Sequence, residues 1–135
     1  MREILFRGKR IFDNSQWVEG CLLKVTLDGE TWHLIFGDDF QRSGLGITAM
    51  QHAAVNPATV GQYTGLKDKN GKRIFEGDIV DILTENEEIG VVEYEDGGFL
   101  VSADGFCIDF HANINGTDLD VIGNKWDNSE WLEVR

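Results

Sequence analysis

Cys107, Asp109 and His111 are the residues whose types come nearest to a catalytic set: a thiol, a carboxylate and an imidazole at alternate positions of one segment. A strand over 106–111 would put all of them on one face. Neighbours at i and i+2 are then ~6.6–7 Å apart along the strand, and the ends about twice that. A thiol and an imidazole need to approach to ~3 Å, so a straight strand cannot join them. The segment reads instead as the polar outer face of a strand. Gly65 to Arg73 resembles a phosphate-binding loop only superficially, because five residues separate Gly65 from Gly71 and an arginine, not a hydroxyl residue, follows Lys72. Asp118-Leu119-Asp120 invites a calcium-loop reading, but the fifth and twelfth positions hold Ile122 and Ser129, which offer no carboxylate. His33 and His52 have no ligand partners at metal spacing. The sequence therefore assigns no catalytic, cofactor-binding or metal-binding residue, and the expectation is a protein that is not an enzyme.

Charge is the stronger signal. The chain has 135 residues, 24 of them acidic and 12 basic, for a formal net charge of −12. Residues 1–66 hold seven acids and six bases, whereas residues 67–135 hold seventeen acids and six bases. From Ile74 to Asn124 there are thirteen Asp and Glu and no Lys or Arg. Such a surface repels phosphate backbones, whose binding depends on Lys and Arg displacing counterions, and it repels anionic membranes. Direct nucleic-acid binding is disfavoured. Arg2, Arg7, Lys9 and Arg10 form the one basic patch near it in kind. Glu85, Glu87, Glu88, Glu93, Glu95 and Asp96 are the candidate partner-binding acidic surface, suited to a basic protein. The expected partner is a protein, or a second copy of the chain. One alternative is an acidic mimic of nucleic acid that occupies a DNA-binding protein, and another is an enzyme whose site no motif marks.

The apolar runs fall short of the ~20 residues a membrane helix needs, and Ile4 to Phe6 is too short for a signal-peptide core, so a cytoplasmic location is expected. Cys21 and Cys107 form no CxxC pair and read as two buried or half-buried thiols. The four Trp read as core filling, because no Lys or Arg alternates with them in sequence as a base-stacking platform would require.

The elements that would position these groups are strands. Asp28-Gly29, Asn70-Gly71, Asp96-Gly97, Asp104-Gly105 and Asn115-Gly116 are two-residue turn signals, each glycine expected to supply a positive φ. Between them lie β-branched and aromatic segments near 78–83, 90–95, 98–103, 106–111 and 119–123. These predict a five-stranded meander curled into a partly open barrel. A second β set is expected at 4–7, 17–25 and 31–36. Residues 37–57 break the pattern, with 47–54 able to form a short helix. Asn128 is placed to cap a helix at the C-terminal end. The organisation expected is an N-terminal antiparallel β subdomain with an irregular crossing segment over 1–60 and a C-terminal barrel over 61–135.

The run Thr59-Val-Gly-Gln-Tyr-Thr-Gly-Leu-Lys-Asp-Lys-Asn-Gly-Lys-Arg-Ile-Phe-Glu-Gly-Asp-Ile-Val80 resembles the hallmark of the YopX-like family, small proteins encoded mainly in phages and prophages. Arg2 to Lys9 resembles the family's opening. Val121 to Asn124 with Trp126 to Asn128 resembles its close, although Ser129 stands where the family's proline is expected. The resemblance implies a mainly β fold with an SH3-like barrel in the C-terminal half, little helix, and a phage or prophage origin in a bacterial cytoplasm. It implies no catalytic residues.

Overall fold

The computed structural model describes residues 3–12, 16–37, 47–83, 88–110 and 115–133. Arg2, Glu85, Glu87 and His111, named above, lie outside the described residues. The chain divides into two compact units, residues 1–62 and 63–135.

In the first unit, β1 (Phe6–Lys9), β2 (Trp17–Leu27), β3 (Glu30–Phe36) and β4 (Ala54–Val55) are joined in the order β4-β3-β2-β1, and all pairs are antiparallel. The strand β5 (Gly61–Lys67) begins here, with Gly61 and Gln62 opposite Arg7 and Phe6. Asp28 and Gly29 have φ of 51° and 82°, so the β2–β3 hairpin closes through a turn with both central residues left-handed. That turn matches the right-handed twist of the strands it joins. The hairpin is covered on both faces nearer its base. Val18, Ile35 and Val55 pack with Phe6, Leu22 and Val60 on one side. Leu34, Ala53 and Ala54 pack with Val25, Trp32, Phe36 and Met50 on the other, where helix α1 (Ile47–Ala53) lies. Residues 47–54 thus form a helix followed directly by a strand. The single proline opens a 3-10 turn, Pro57–Thr59, where losing an N–H costs nothing. Thr59 Oγ1 accepts from the Lys9 N–H at 2.9 Å, tying that turn to β1.

In the second unit, the remainder of β5 pairs with β6 (Arg73–Phe75). A five-stranded antiparallel sheet then runs β10-β9-β8-β7-β11, from β7 (Asp78–Ile82), β8 (Glu88–Glu95), β9 (Gly98–Ala103), β10 (Phe106–Asp109) and β11 (Leu119–Asn124). The strand segments agree with those expected, but the last one does not continue the meander. β11 returns to pair with β7, with Leu119 opposite Ile82 and Val121 opposite Val80. Its apolar residues are needed there: Ile74, Val80, Ile82, Val92, Val101, Ala103 and Leu119 are all buried in one core. The short helix α2 (Glu130–Glu133) ends the described chain. The protein is mainly β, built on open antiparallel sheets with little helix.

Three sequence expectations require correction. Gly116 has no positive φ; Asn115–Gly116 opens a 3-10 turn, Gly116–Asp118. Glycine is needed there because a Cβ would lie 2.1 Å from the Lys67 carbonyl oxygen. Asn128 does not cap α2: its Oδ1 accepts from the Asn124 N–H at 3.1 Å, closing the preceding turn. Cys21 and Cys107 are both exposed free thiols, and Cys107 shares the outer face of β10 with Asp109.

Candidate interaction site

The hallmark segment carries the loop that resembles a phosphate-binding one, and its side chains are engaged by the fold. Asp68 is buried at the β5–β6 turn. Its Oδ1 accepts from the N–H groups of Asn70 and Lys72, both at 2.9 Å. Its Oδ2 accepts from the Val121 N–H at 3.0 Å. Burial acts to raise the Asp68 pKa, but these bonds and the nearby Lys72 charge outweigh it and hold the pKa below the usual carboxylate range. The amides that a bound phosphate would require are occupied by this side chain, so the loop is a structural staple between the turn and β11. Gly77 has φ 91°, and a Cβ there would lie 2.3 Å from the Trp126 ring. Asp78 is 1% exposed and its Oδ2 accepts from the Phe75 N–H at 2.7 Å. Each recognisable position in this segment satisfies backbone or permits close packing.

The acidic surface is divided by the strand period. Glu93 and Glu95 are exposed and share one face of β8, while Glu88 is half-buried and belongs to the other face. Asp96 sits at the β8–β9 turn with φ 52°. Register, not sequence, supplies the neighbours of Glu93: Leu100 lies opposite it, and Asp109 lies opposite Leu100 from the other side. Asp81 and Asp120 also face each other across β7 and β11. Lys69 Nζ at 3.7 Å and Asn70 Nδ2 at 3.2 Å contact Asp120 and relieve that pair. Among the described residues, no group of three or more His, Cys, Asp or Glu is arranged to hold a metal ion. Cys107 and Asp109 are both exposed on β10.

Sequence order concealed one arrangement. Lys9 lies opposite Trp17, and its Nζ is 5.7 Å from the indole centroid; the Arg7 guanidinium is 4.8 Å from the same ring. Strand pairing therefore interleaves cations with an aromatic that linear spacing keeps apart. Arg7 and Arg10 are buried, however, at 8% and 6% exposure, so their charged groups belong to the fold rather than to an open basic surface.

An open apolar cleft lies at the far end of the β2–β3 hairpin. Leu27, Asp28, Glu30, Trp32, Met50 and Gln51 line a cleft of about 260 Å³. Trp32 forms its wall and stacks on Phe12, with ring centroids 6.3 Å apart. Leu27 and Phe12 are 45% and 54% exposed, large values for apolar side chains in one neighbourhood. Asp28 and Glu30 place two carboxylates on the rim. No sequence motif marks this cleft, because α1 supplies Met50 and Gln51 from about twenty positions downstream of the hairpin's turn. The signal available was the alternation Leu23, Val25, Leu27, which extends beyond what the core covers.

No helix among the described residues is long and apolar enough to cross a membrane. No curated protein matches the chain. A solved structure, that of protein EF1440 from Enterococcus faecalis, is similar in fold with a TM-score of 0.53 and 22% identity, over 98% of this chain and 99% of that one. At that identity the likeness concerns the fold alone. The family model described as YopX protein matches residues 6–133, which include the Asp68 staple and the Gly77–Trp126 contact, and the chain belongs to the YopX family.

Proposed function

We propose that the chain is a non-enzymatic phage or prophage accessory module that acts in a bacterial cytoplasm by binding a protein. The observation that carries this reading is the cleft walled by Trp32. An apolar floor with two carboxylates at its rim suits an apolar side chain of a partner flanked by a basic one. Aromatic walls of this kind are favoured sites of binding energy. A photo-crosslinking residue at Gln51, exposed on the cleft wall, tests the reading. It should capture a partner from host lysate that a crosslinker at exposed Lys72 does not. Glu30→Lys should reduce that capture by reversing rim charge. Equal capture from both positions, or no effect of Glu30→Lys, refutes it.

A second reading, mimicry of nucleic acid, draws on the exposed Glu93 and Glu95 of β8 and on Asp109 of β10. It requires a basic partner released by salt, with crosslinks mapping to β8–β10 rather than to the cleft.

A further inference from the structure

Among the described strands, the outer half of β2 is paired on one side alone. β1 pairs with β2 only from Trp17 to Gly20, whereas β3 pairs with it from Cys21 to Leu27. Among the described strands, nothing pairs with the other side of Cys21 to Leu27. Leu27 and Glu30 flank the two-residue turn and exchange hydrogen bonds. Counting back in twos, Leu23, Val25 and Leu27 aim their N–H and C=O groups at β3. Leu22, Lys24 and Thr26 therefore aim theirs outward. Exposed edges of this kind are templates for a further strand.

The side chains on this edge have a symmetry of their own. Leu23-Lys24-Val25-Thr26-Leu27 reads apolar, polar, apolar, polar, apolar in either direction, centred on Val25. Leu23 is 48% and Leu27 45% exposed, and Val25 is half-buried on the same face. A two-fold interface needs a surface complementary to itself. We propose that the chain forms a dimer by antiparallel pairing of β2 with β2 of a second copy, with Val25 opposite Val25 of that copy. In this register Leu23 meets Leu27 of the second copy, and Lys24 meets Thr26. The neighbouring register, centred on Lys24, sets two ammonium groups face to face and is disfavoured. Lys24 thus selects one register rather than closing the edge. The pairing groups lie along the hairpin's edge, and Leu27 also borders the cleft, so the crosslinking and sedimentation outcomes below, rather than separate surfaces, distinguish this inference from the proposed function.

The register gives the test. In the full chain carrying Cys21→Ser and Cys107→Ser, Val25→Cys should oxidise to a covalent dimer. Opposed residues of a non-hydrogen-bonded pair lie within disulfide reach, ~4.5 Å between Cα atoms. Leu23→Cys and Leu27→Cys should each fail to crosslink alone, yet should crosslink when mixed. Thr26→Glu places a carboxylate opposite Lys24 twice per dimer and should tighten self-association roughly tenfold in sedimentation. Thr26→Lys should weaken it by a similar factor. The inference is overturned if the unmodified chain sediments as a monomer at all concentrations while Val25→Cys stays uncrosslinked. It is also overturned if Thr26→Glu and Thr26→Lys shift the equilibrium alike, or if Leu23→Cys crosslinks to itself as readily as Val25→Cys. A monomer whose cleft crosslinks a partner would leave the proposed function standing; a dimer whose cleft captures nothing would do the reverse.

Discussion

Replacing Asp68 with asparagine isolates the staple of the second unit. The carboxylate accepts three backbone N–H groups, two on Oδ1 and one on Oδ2. A neutral amide keeps one acceptor oxygen. If that oxygen serves Asn70 and Lys72, the new NH2 group confronts the Val121 N–H, donor against donor. Hydrogen bonds to a charged acceptor contribute ~1.5–3 kcal/mol each, and an abandoned buried donor costs ~1–3 kcal/mol. Since one side chain makes all of these bonds, they do not add in full. Asp68→Asn should therefore destabilise the second unit by about 2–4 kcal/mol. The pH dependence supplies the decisive readout. The folded pKa of Asp68 lies below its ordinary value because the three N–H groups and Lys72 outweigh burial. Its stabilisation is then complete above the unfolded pKa of ~3.9 and is lost as pH falls through the folded value. Urea unfolding followed at the amides of Asn70, Lys72 and Val121 should show a constant gap between the two proteins from neutral pH to about 5, narrowing in acid. A gap independent of pH, or no gap at neutral pH, refutes the assignment.

Two further perturbations follow from the same unit. Asp81→Asn removes one of two carboxylates placed opposite each other on β7 and β11. It should raise stability by about 0.2–1 kcal/mol at low salt, with less effect as salt screens the pair. Unchanged melting at low salt would show that Lys69 already cancels the repulsion. Gly77→Ala introduces a Cβ at φ 91°, where the Trp126 ring lies 2.3 Å away. It should cost about 2–4 kcal/mol and shift the indole emission; a wild-type melting curve would contradict the contact.

Strand positions were legible because they rest on local chemistry. Asp28-Gly29 and Asp96-Gly97 adopt positive φ at both residues, and the β-branched and aromatic segments near 78–83 and 90–95 mark β7 and β8 without outside help. What escaped the sequence depends on pairing at a distance. That β11 returns to β7 is enforced by burial of Leu119 against Ile82, and no local signal distinguishes that from a continued meander. Asn115–Gly116 has the composition of a hairpin turn, but its glycine answers the Lys67 carbonyl instead. Asn128 has the composition of a cap, but the Asn124 N–H claims its oxygen. Cations reach Trp17 only across strands. The acidic surface read as one run, yet the period of two places Glu88 on the face opposite to Glu93 and Glu95.

The same logic explains why the run from Thr59 to Val80 says little about activity. Asp68, Gly77 and Asp78 are confined by the fold: each either satisfies buried N–H groups or admits a neighbouring ring or backbone. Changing any of them damages the scaffold before it reaches a binding partner. Function is better sought where the fold makes no such demand and the chain is nonetheless costly to keep in water. The hairpin tip meets that condition twice. Leu23 and Leu27 remain about half exposed on an edge whose pattern is symmetric, and Trp32 walls an apolar cleft with acids at its rim. Neither arrangement stabilises the unit, since solvent-exposed leucine gains nothing from burial. An unpaired apolar edge is moreover an aggregation hazard. Pairing with another chain removes that hazard, which is why the edge and the cleft, rather than the β5–β6 turn, are where partner contacts should be mapped first.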